Sequence, residues 1–366
     1  MRFEKYFIHL AWKNDKIVSA MKKILTLLAL LIFLGSSLAT AQNRKVAAYG
    51  IGFYNLENLF DTLHDEGKND NDFLPEGNKH WDNERYSHKL QNMARVLSDM
   101  GTDKIPAGCA VIGVCEVENA HCLEDLCNQE PLKKRNFNFV HIEGADRRGS
   151  DCALLYNPRF FSVRNVKLVP YVNELPRDSD YRTRGFLTVS GTLANEHVTF
   201  IVNDLPSRFS PSRYRERAGS QIRAIKDSLL RDDPGVKIII MGNMNDNPQN
   251  TSMAVSLGAK ANVTEVEKDG LWNPWFKRNS ASCYDGNSPY MYDQIILSYS
   301  LLDPQNSKDY TTLKYFTHQV FLREYFITQA GRYKGHPLRT FFGTTWLDGY
   351  SDHFPVVLYL VKEVNK

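Results

Sequence analysis

The pattern of apolar and polar residues predicts a chain rich in β-strands with a few amphipathic helices. The predicted strands at 110–117 and 237–241 contain apolar runs without polar alternation, at 111–115 and 238–241, as expected of strands buried on both faces. Residues 85–100 and 212–230 place apolar side chains at helical spacing, which is typical of helices that cover a sheet. Further strands are predicted at 47–56, 138–143, 151–157, 161–170, 185–194, 197–204, 292–298 and 354–361. This arrangement predicts two packed sheets with helices outside.

The first 41 residues have the pattern of a secretory signal peptide. Two lysines precede the apolar run 24–34, and small residues follow up to Ala41, where we expect cleavage. The run is short for a membrane-spanning helix, and no later stretch is long and apolar enough to span a membrane. We therefore expect a secreted or periplasmic protein in which residues 42–366 form a single domain. Met21 is an alternative start of the chain.

Removal of this leader changes the charge balance. The whole chain has a formal net charge of +3, and its first 41 residues carry +4, so residues 42–366 carry −1. Nucleic-acid binding through a basic surface over the whole protein is thereby excluded, and any such binding must rest on local patches. The six cysteines permit disulfides but dictate no framework at this length. We expect Cys115 and Cys152, which lie in apolar runs, to be small core residues.

Polar side chains stand at the ends of five predicted strands. Each group alone is unremarkable, because Asn and Asp are common in surface turns. Gathered at one edge of a sandwich, they would form a pocket of carboxylates, carboxamides and one imidazole. Such hard oxygen ligands suit magnesium, with manganese or calcium as alternatives, and the site fits phosphoester hydrolysis. The groups are Asn55, Glu116, Asn203 with Asp204, Asn243 with Asn245, and Ser351 with Asp352 and His353.

Several motifs in order resemble the endonuclease/exonuclease/phosphatase superfamily, which includes pancreatic-type deoxyribonuclease. The motifs are YNLENLF at 54–60, VCEVE at 114–118, RGSDCALLY at 148–156, VNDLPSR at 202–208, GNMND at 242–246, YDQII at 292–296 and SDHFPV at 351–356. The resemblance covers nearly all of residues 42–366 and is strongest to the secreted bacterial branch. It implies a four-layer α/β sandwich, with two packed mixed β-sheets flanked by helices, and a divalent metal cofactor.

Transferred position by position, the resemblance implies roles for individual residues. Glu116 is expected to be the principal metal ligand, with Asn55 and Asp352 as further ligands. His353 is expected to act on the attacking water or on the phosphate while Asp293 holds its ring, because a carboxylate fixes the tautomer of an imidazole and supports its positive charge. Asn245 is expected to orient a phosphate oxygen. The predicted substrate-binding residues are Tyr156, Asn203 and Arg208.

Two predicted catalytic positions depart from the family pattern. The family has His where this chain has Asp204, and Asp where it has Asn243. An amide cannot accept a proton, and an aspartate repels a phosphate unless a metal intervenes. Two interpretations stay open. In the first, Asp204 replaces the missing carboxylate and the protein is a slow hydrolase; in the second, the fold is kept as a binding module.

The expected substrate is a phosphodiester, with DNA or RNA as candidates. The loop 207–217 carries four arginines, with Phe209 and Tyr214 between them, which fits a phosphate backbone with stacked bases or, equally, a solvated helix start. Trp272 and Trp275 form a second aromatic cluster that is either a binding platform or a loop anchor. We expect a monomeric nuclease, with a phosphatase or a lipid-headgroup phosphodiesterase as the alternative.

Overall fold

The first of two large β-sheets contains the predicted strands at 47–56 and 110–117 as neighbours. In this computed structural model, which describes residues 45–173, 181–277 and 280–364, its strands are β1 (Val46–Leu59), β2 (Cys109–Val117), β3 (Asn138–His141), β4 (Asp151–Tyr156), β14 (Lys314–Val320) and β17 (Val356–Glu363). Across the sheet their order is β14, β17, β1, β2, β4, β3. β1 runs parallel to β2 and antiparallel to β17. The ends of β1 and β2 and the start of β17 therefore meet at one edge.

The second sheet has a similar arrangement of two parallel strands with an antiparallel neighbour. Its central strand, β8, contains the uninterrupted apolar run of the sequence. In order across the sheet its strands are β5 (Phe161–Val169), β6 (Phe186–Leu193), β7 (Glu196–Asp204), β8 (Lys237–Asn243), β13 (Asp293–Ser298), β10 (Leu271–Trp272) and β9 (Ala259–Lys260). β7 and β8 are parallel, and β13 is antiparallel to β8. The ends of β7 and β8 and the start of β13 therefore share one edge.

Helices cover the outer faces of both sheets. α1 (Asn83–Asp99), α2 (Ala120–Asn128) and α3 (Glu130–Arg135) pack on the first sheet, and α4 (Ser212–Asp232) packs on the second. Two mixed sheets with helices outside confirm the predicted α/β sandwich. Two small hairpins complete the strands of the described residues: β11 (Cys283–Asp285) with β12 (Ser288–Tyr290), and β15 (Phe341–Phe342) with β16 (Thr345–Trp346).

The apolar residues of β8 lack polar alternation because both faces of this strand are covered. Ile239 and Met241 face the first sheet, and Ile238 and Ile240 face α4. The core between the sheets also contains Cys115 and Cys152, partners across β2 and β4, as predicted from their apolar surroundings. All six cysteines lie in the described residues, and none of them forms a disulfide.

Sequence analysis missed α2, α3 and β14. The two helices have nine and six residues, too few for a periodic pattern to stand out. β14 is an edge strand of largely half-buried residues, so it lacks the apolar run of an inner strand. None of the helices within the described ranges is long and apolar enough to cross a membrane.

Residues Val46–Glu363 cluster into one unit. A second unit, Met1–Lys45 with Val364–Lys366, falls almost wholly outside the described residues. The predicted signal peptide, residues 1–41, lies in that part of the chain, so the leader and its cleavage near Ala41 stay a prediction.

Candidate active site

Three neighbouring strands of the second sheet present a row of polar side chains at one edge. Asp204 at the end of β7 pairs in register with Asn243 at the end of β8, and Asn243 pairs with Asp293 at the start of β13. Two residues back along their strands, Val202 and Met241 face the first sheet. Because successive side chains of a strand alternate between its faces, the row also faces the gap between the sheets.

Asn55 and Glu116 stand on the opposite side of this gap, on the first sheet. The Nδ2 of Asn55 donates to Oε1 of Glu116 at 3.0 Å, and Oε2 of Glu116 accepts the backbone N–H of Asn58 at 3.1 Å. Strand alternation alone would turn Glu116 outward, as it turns Val114. Glu116 instead has a φ of 59°, and the pairing of β2 with β4 shifts register around it. This bulge brings the carboxylate to Asn55.

His353 lies on the turn before β17 and pairs with Asp293. Its Nδ1 lies 2.6 Å from Oδ2 of Asp293, and its Nε2 lies 3.9 Å from Oδ1 of Asp352. Burial disfavours the charged imidazolium, but the carboxylates of Asp293, Asp352 and Glu116 outweigh burial and raise the pKa of His353 to about 10. Without a further cation nearby, His353 is therefore a proton donor at neutral pH.

Asp352, a predicted metal ligand, belongs to a charge network that is half-buried at Arg339 and Asp352 and buried at Glu57 and Lys89. Nη2 of Arg339 lies 3.1 Å from Oδ2 of Asp352, and Nε of Arg339 lies 3.5 Å from Oε1 of Glu57. Burial and the charge of Asp352 raise the pKa of Glu57 to about 7, although Lys89 and Arg339 oppose the rise. Sequence analysis did not predict Lys89 or Arg339 at the site, and the sequence alone left the place of Glu57 open.

Asp204 is paired with an arginine that sequence analysis missed. Nη2 of Arg184 lies 3.2 Å from Oδ2 of Asp204, and both side chains are buried. Burial raises the pKa of Asp204, Arg184 lowers it and Glu116 raises it, which leaves a pKa of about 7. Arg184 precedes β6, and no local sequence pattern indicates that it pairs with Asp204 at the end of β7. Where the family has a histidine, this chain therefore holds a buried ion pair.

Arg184→Met is expected to lower the free energy of unfolding by about 3–5 kcal/mol, because it leaves Asp204 buried without its cation. Urea unfolding in EDTA measures this change. Arg184→Met combined with Asp204→Leu should recover most of the loss, since the buried carboxylate is also removed. Asp146, which lies 3.7 Å from Nε of Arg184, keeps Arg148 as its partner. Arg148→Met removes a half-exposed arginine nearby and should change the free energy of unfolding by less than about 0.5 kcal/mol. If Arg184→Met lowered the free energy of unfolding no more than Arg148→Met does, the pairing of Arg184 with Asp204 would be contradicted.

Asn245 connects the ends of β7 and β8. Its Nδ2 donates to the carbonyl oxygen of Leu205 at 2.8 Å and lies 3.4 Å from Oδ1 of Asp204. Its backbone N–H donates to Oδ1 of Asn243 at 3.1 Å. The structure therefore brings together Asn245, Asn243 and Asp204 at the edge where the sequence placed them.

Tyr156 does not join this group, which corrects its predicted role at the substrate. β4 is antiparallel to β2, so Tyr156 pairs with Val111, whereas Asp151 pairs with Val117 beside Glu116. At about 3.4 Å per residue, the five steps along β4 place Tyr156 roughly 17 Å from that edge. The motif RGSDCALLY marked the correct strand, but only the start of that strand reaches the site.

Asn203 and Arg208 were both predicted to bind substrate, but only Arg208 is accessible at the site. Asn203 alternates with Asp204, faces away from the gap and donates through Nδ2 to the carbonyl oxygen of Met241 at 2.9 Å. Its predicted contact with substrate is therefore wrong. Arg208 lies on the loop after β7, with its Nη1 3.3 Å from the hydroxyl of Tyr292 and its side chain 46% exposed. Arg208 thus remains accessible at the rim of the site.

Parts of the predicted arginine loop and both predicted tryptophans are buried inside the protein. Arg215 is buried, and its Nε lies 2.9 Å from Oδ2 of Asp246. Tyr214, Trp272 and Trp275 are also buried, so the two tryptophans anchor their loops and do not form a surface platform. Phe209, beside Arg208, is fully exposed. The surface available for nucleic acid on this loop is therefore smaller than the sequence pattern suggested.

The donor set around the gap fits a hard divalent cation. Glu116 offers carboxylate oxygens, and Asn55 offers Oδ1, which also accepts the backbone N–H of Glu57 at 2.8 Å. Asp204 and Asp293 add carboxylates from the facing sheet. Oδ1 of Asp293 is buried and has no hydrogen-bond partner among the described residues. A cation beside Glu116 would offset this excess of negative charge. Asp352 lies within reach of His353, but its ion pair with Arg339 competes with the predicted ligand role.

A second group of potential ligands, Asp61, Glu118 and Cys122, lies on the helix side of the first sheet, with one ligand atom of each residue within 4.8 Å of the others. Oε2 of Glu118 accepts the backbone N–H of Asp61 at 2.8 Å, and Oδ1 of Asp61 accepts that of Leu63 at 2.7 Å. Burial raises the pKa of Glu118 to about 8. These contacts assign the group to the structure of the loop.

Comparison with solved structures shows a fold shared with several phosphoester-processing proteins. An endonuclease/exonuclease/phosphatase family protein from Bacteroides thetaiotaomicron has 15% identity and a TM-score of 0.52, covering 88% of this chain and 97% of that one. A mannosyl-6-phosphatase from the same organism has 15% identity and a TM-score of 0.52, with 85% and 99% coverage. TDP2 from D. rerio, solved with a single-strand DNA product, has 16% identity and a TM-score of 0.51, with 86% and 99% coverage.

Sequence comparison identifies the family. No curated protein sequence gives a match. Residues 50–362, however, match the profile of the Endonuclease/Exonuclease/phosphatase family, and this range contains both sheets. The chain therefore belongs to the endonuclease/exonuclease/phosphatase family.

Proposed function

We propose that the protein is a divalent-metal-dependent phosphoesterase that hydrolyses phosphodiester bonds. The observation that carries this proposal is the pairing of His353 with Asp293 across the gap between the sheets, beside Glu116 and Asn55. A charged imidazole and an oxygen-rich metal site suit a substrate whose reacting group is an anionic phosphate. Family membership supports the same class of reaction.

Glu116 and Asn55 are the residues we assign to the metal. Magnesium is the expected ion, with manganese or calcium as alternatives, and when bound it would neutralise phosphate charge and polarise a phosphoryl oxygen. His353, as the imidazolium, donates its Nδ1–H to Asp293 and presents its Nε2–H to the substrate as a proton donor. Asn245, at the end of β8, orients a phosphate oxygen through its side-chain amide.

The residues that depart from the family pattern predict slow turnover. Asn243 cannot accept a proton from the attacking water, and Asp204 is held by Arg184. With a pKa of about 7, Asp204 retains a carboxylate fraction at neutral pH and is the proton acceptor of the row that is not paired with His353. The same two residues favour a second candidate function, a binding module that retains the fold without catalysis.

Among phosphodiesters, we propose a nucleic acid as the substrate. Arg208 is accessible at the rim, and Phe209 is fully exposed beside it, which suits contact with a phosphate and an adjacent base. The TDP2 relative was solved with a DNA product, and the mannosyl-6-phosphatase relative keeps a phosphatase as the alternative. On the basis of the predicted leader, 1–41, we propose a periplasmic or extracellular location and membership of the secreted bacterial branch. We propose that it acts as a monomer.

Hydrolysis assays on the purified protein test this function. A chromogenic phosphodiester, its phosphomonoester analogue and single- and double-stranded DNA are each incubated with Mg²⁺ or Mn²⁺. We expect metal-dependent cleavage of the diester and of DNA that EDTA abolishes, and DNA binding that weakens steeply with salt. Turnover of the monoester alone would support the phosphatase alternative. Absence of turnover on every substrate would favour the binding module.

A further inference from the structure

A cavity of about 330 Å³ opens beside the proposed active site. Its volume is at the lower end of the range for small-molecule pockets. Its walls come from the hairpin of β11 and β12 and from residues 328–352. Asp352 lines the cavity and also lies 3.9 Å from Nε2 of His353. A ligand that reaches from His353 along Asp352 therefore enters this cavity directly.

The walls of the cavity are built largely from aromatic rings. Tyr284 and His336 stack with ring centroids 4.0 Å apart and an interplanar angle of 13°. The ring centroid of Tyr333 lies 5.6 Å from that of His336 and 5.7 Å from that of Phe342. Partial burial lowers the pKa of His336, so its ring is uncharged at neutral pH. Phe342 is 53% exposed at the rim although it is apolar, which leaves ring surface available for contact.

The charged groups of the cavity lie at one end, and its other side-chain hydrogen-bonding groups belong to Tyr284, Tyr333, His336 and Thr328. Arg339 and Asp352 lie at the end next to His353. The hydroxyl of Thr328 already donates to the carbonyl oxygen of Pro337 at 3.3 Å. A flat aromatic ring loses little on desolvation and gains from stacking.

We propose that this cavity binds a nucleobase of the substrate while the phosphate lies at His353. This assignment rests on the proposed phosphoesterase function. It makes that function more specific, because it predicts that the enzyme prefers substrates that contain a nucleotide unit. The pocket residues that select the base are Tyr284, Tyr333, His336 and Phe342.

Binding measurements test the pocket without requiring turnover. Calorimetry in EDTA compares thymidine 5′-monophosphate with deoxyribose 5-phosphate, which lacks the base. Stacking on aromatic side chains is worth about 1–3 kcal/mol per base, so we expect the nucleotide to bind roughly 5- to 150-fold more tightly. Phe342→Ala and Tyr333→Ala should each reduce this ratio and leave binding of the sugar phosphate unchanged. Phe316→Ala removes an exposed aromatic residue on β14 and is the matched control.

Equal affinity for the two ligands in the natural protein would overturn the pocket assignment, and so would absence of nucleotide binding at millimolar concentration. An unchanged ratio in both Phe342→Ala and Tyr333→Ala would also overturn it. Failure of the proposed function gives a different result. In that case the natural protein hydrolyses no phosphoester, while the nucleotide still binds more tightly than the sugar phosphate through Tyr333 and Phe342.

Discussion

His353→Ala is expected to lower kcat/KM for phosphodiester hydrolysis by about two to four orders of magnitude, the usual contribution of a positioned acid or base. The structure gives His353 a partner for each ring nitrogen: Asp293 at 2.6 Å from Nδ1, and Asp352 at 3.9 Å from Nε2. Removal of the imidazole takes away the proton donor and leaves Asp293 buried without its partner. Steady-state kinetics with a chromogenic diester in Mg²⁺ measures the change.

The chain offers a matched control for this substitution. Nδ1 of His197 lies 2.7 Å from Oδ2 of Asp233, but this exposed pair stands at the opposite end of β7 from the site. His197→Ala should therefore leave kcat/KM within about twofold, because surface substitutions have small effects. Equal losses for His197→Ala and His353→Ala would show that the effect of His353 is not catalytic.

Asn243→Asp is expected to raise kcat at saturating Mg²⁺ by at least about tenfold, because it supplies a proton acceptor in the middle of the row. In the sheet register Asn243 lies between Asp204 and Asp293, so the new carboxylate is flanked by two others. Like charges at this spacing disfavour ionisation unless a cation is bound. The variant should therefore be less stable than the natural protein in EDTA and regain stability when Mg²⁺ is added.

Two measurements on Asn243→Asp separate these effects. Turnover of the chromogenic diester gives kcat, and thermal unfolding with EDTA or Mg²⁺ gives the metal-dependent change in Tm. Asn138→Asp, which adds the same charge at an exposed position of β3, should alter neither kcat nor the response of Tm to Mg²⁺. A kcat for Asn243→Asp no higher than that of the natural protein would contradict the proposal that Asn243 limits the rate.

The positions of most site residues followed from the sequence because strand order and alternation are simple rules. Asp204, Asn243 and Asp293 end or begin apolar strands, and parallel pairing brings such ends to one edge. The same rules misplace residues when direction or face is unknown. Tyr156 was assigned to the site although β4 runs the opposite way, and Asn203 was assigned to it although it faces outward.

The missed residues are cations whose partners are distant in the sequence. Lys89 lies on α1 beside its predicted apolar stripe, but its Nζ is buried and donates to Thr340 and to the carbonyl oxygen of Tyr350 at 2.6 Å each. A lysine on a predicted surface helix is ordinarily assigned to solvent. Arg184 and Arg339 likewise gain their roles only through tertiary contacts with Asp204 and Asp352.

The most direct test of a metal-dependent phosphoesterase is the rate of diester hydrolysis as a function of Mg²⁺ concentration in the natural protein and in Glu116→Gln. The substitution retains the shape of the side chain but removes the charge that we assign to the metal. We predict saturable activation by Mg²⁺ in the natural protein and a rate lower by at least about a hundredfold in Glu116→Gln, since a catalytic metal contributes several kcal/mol. Equal rates for the two proteins, or no Mg²⁺-dependent rate in the natural protein, would contradict the account.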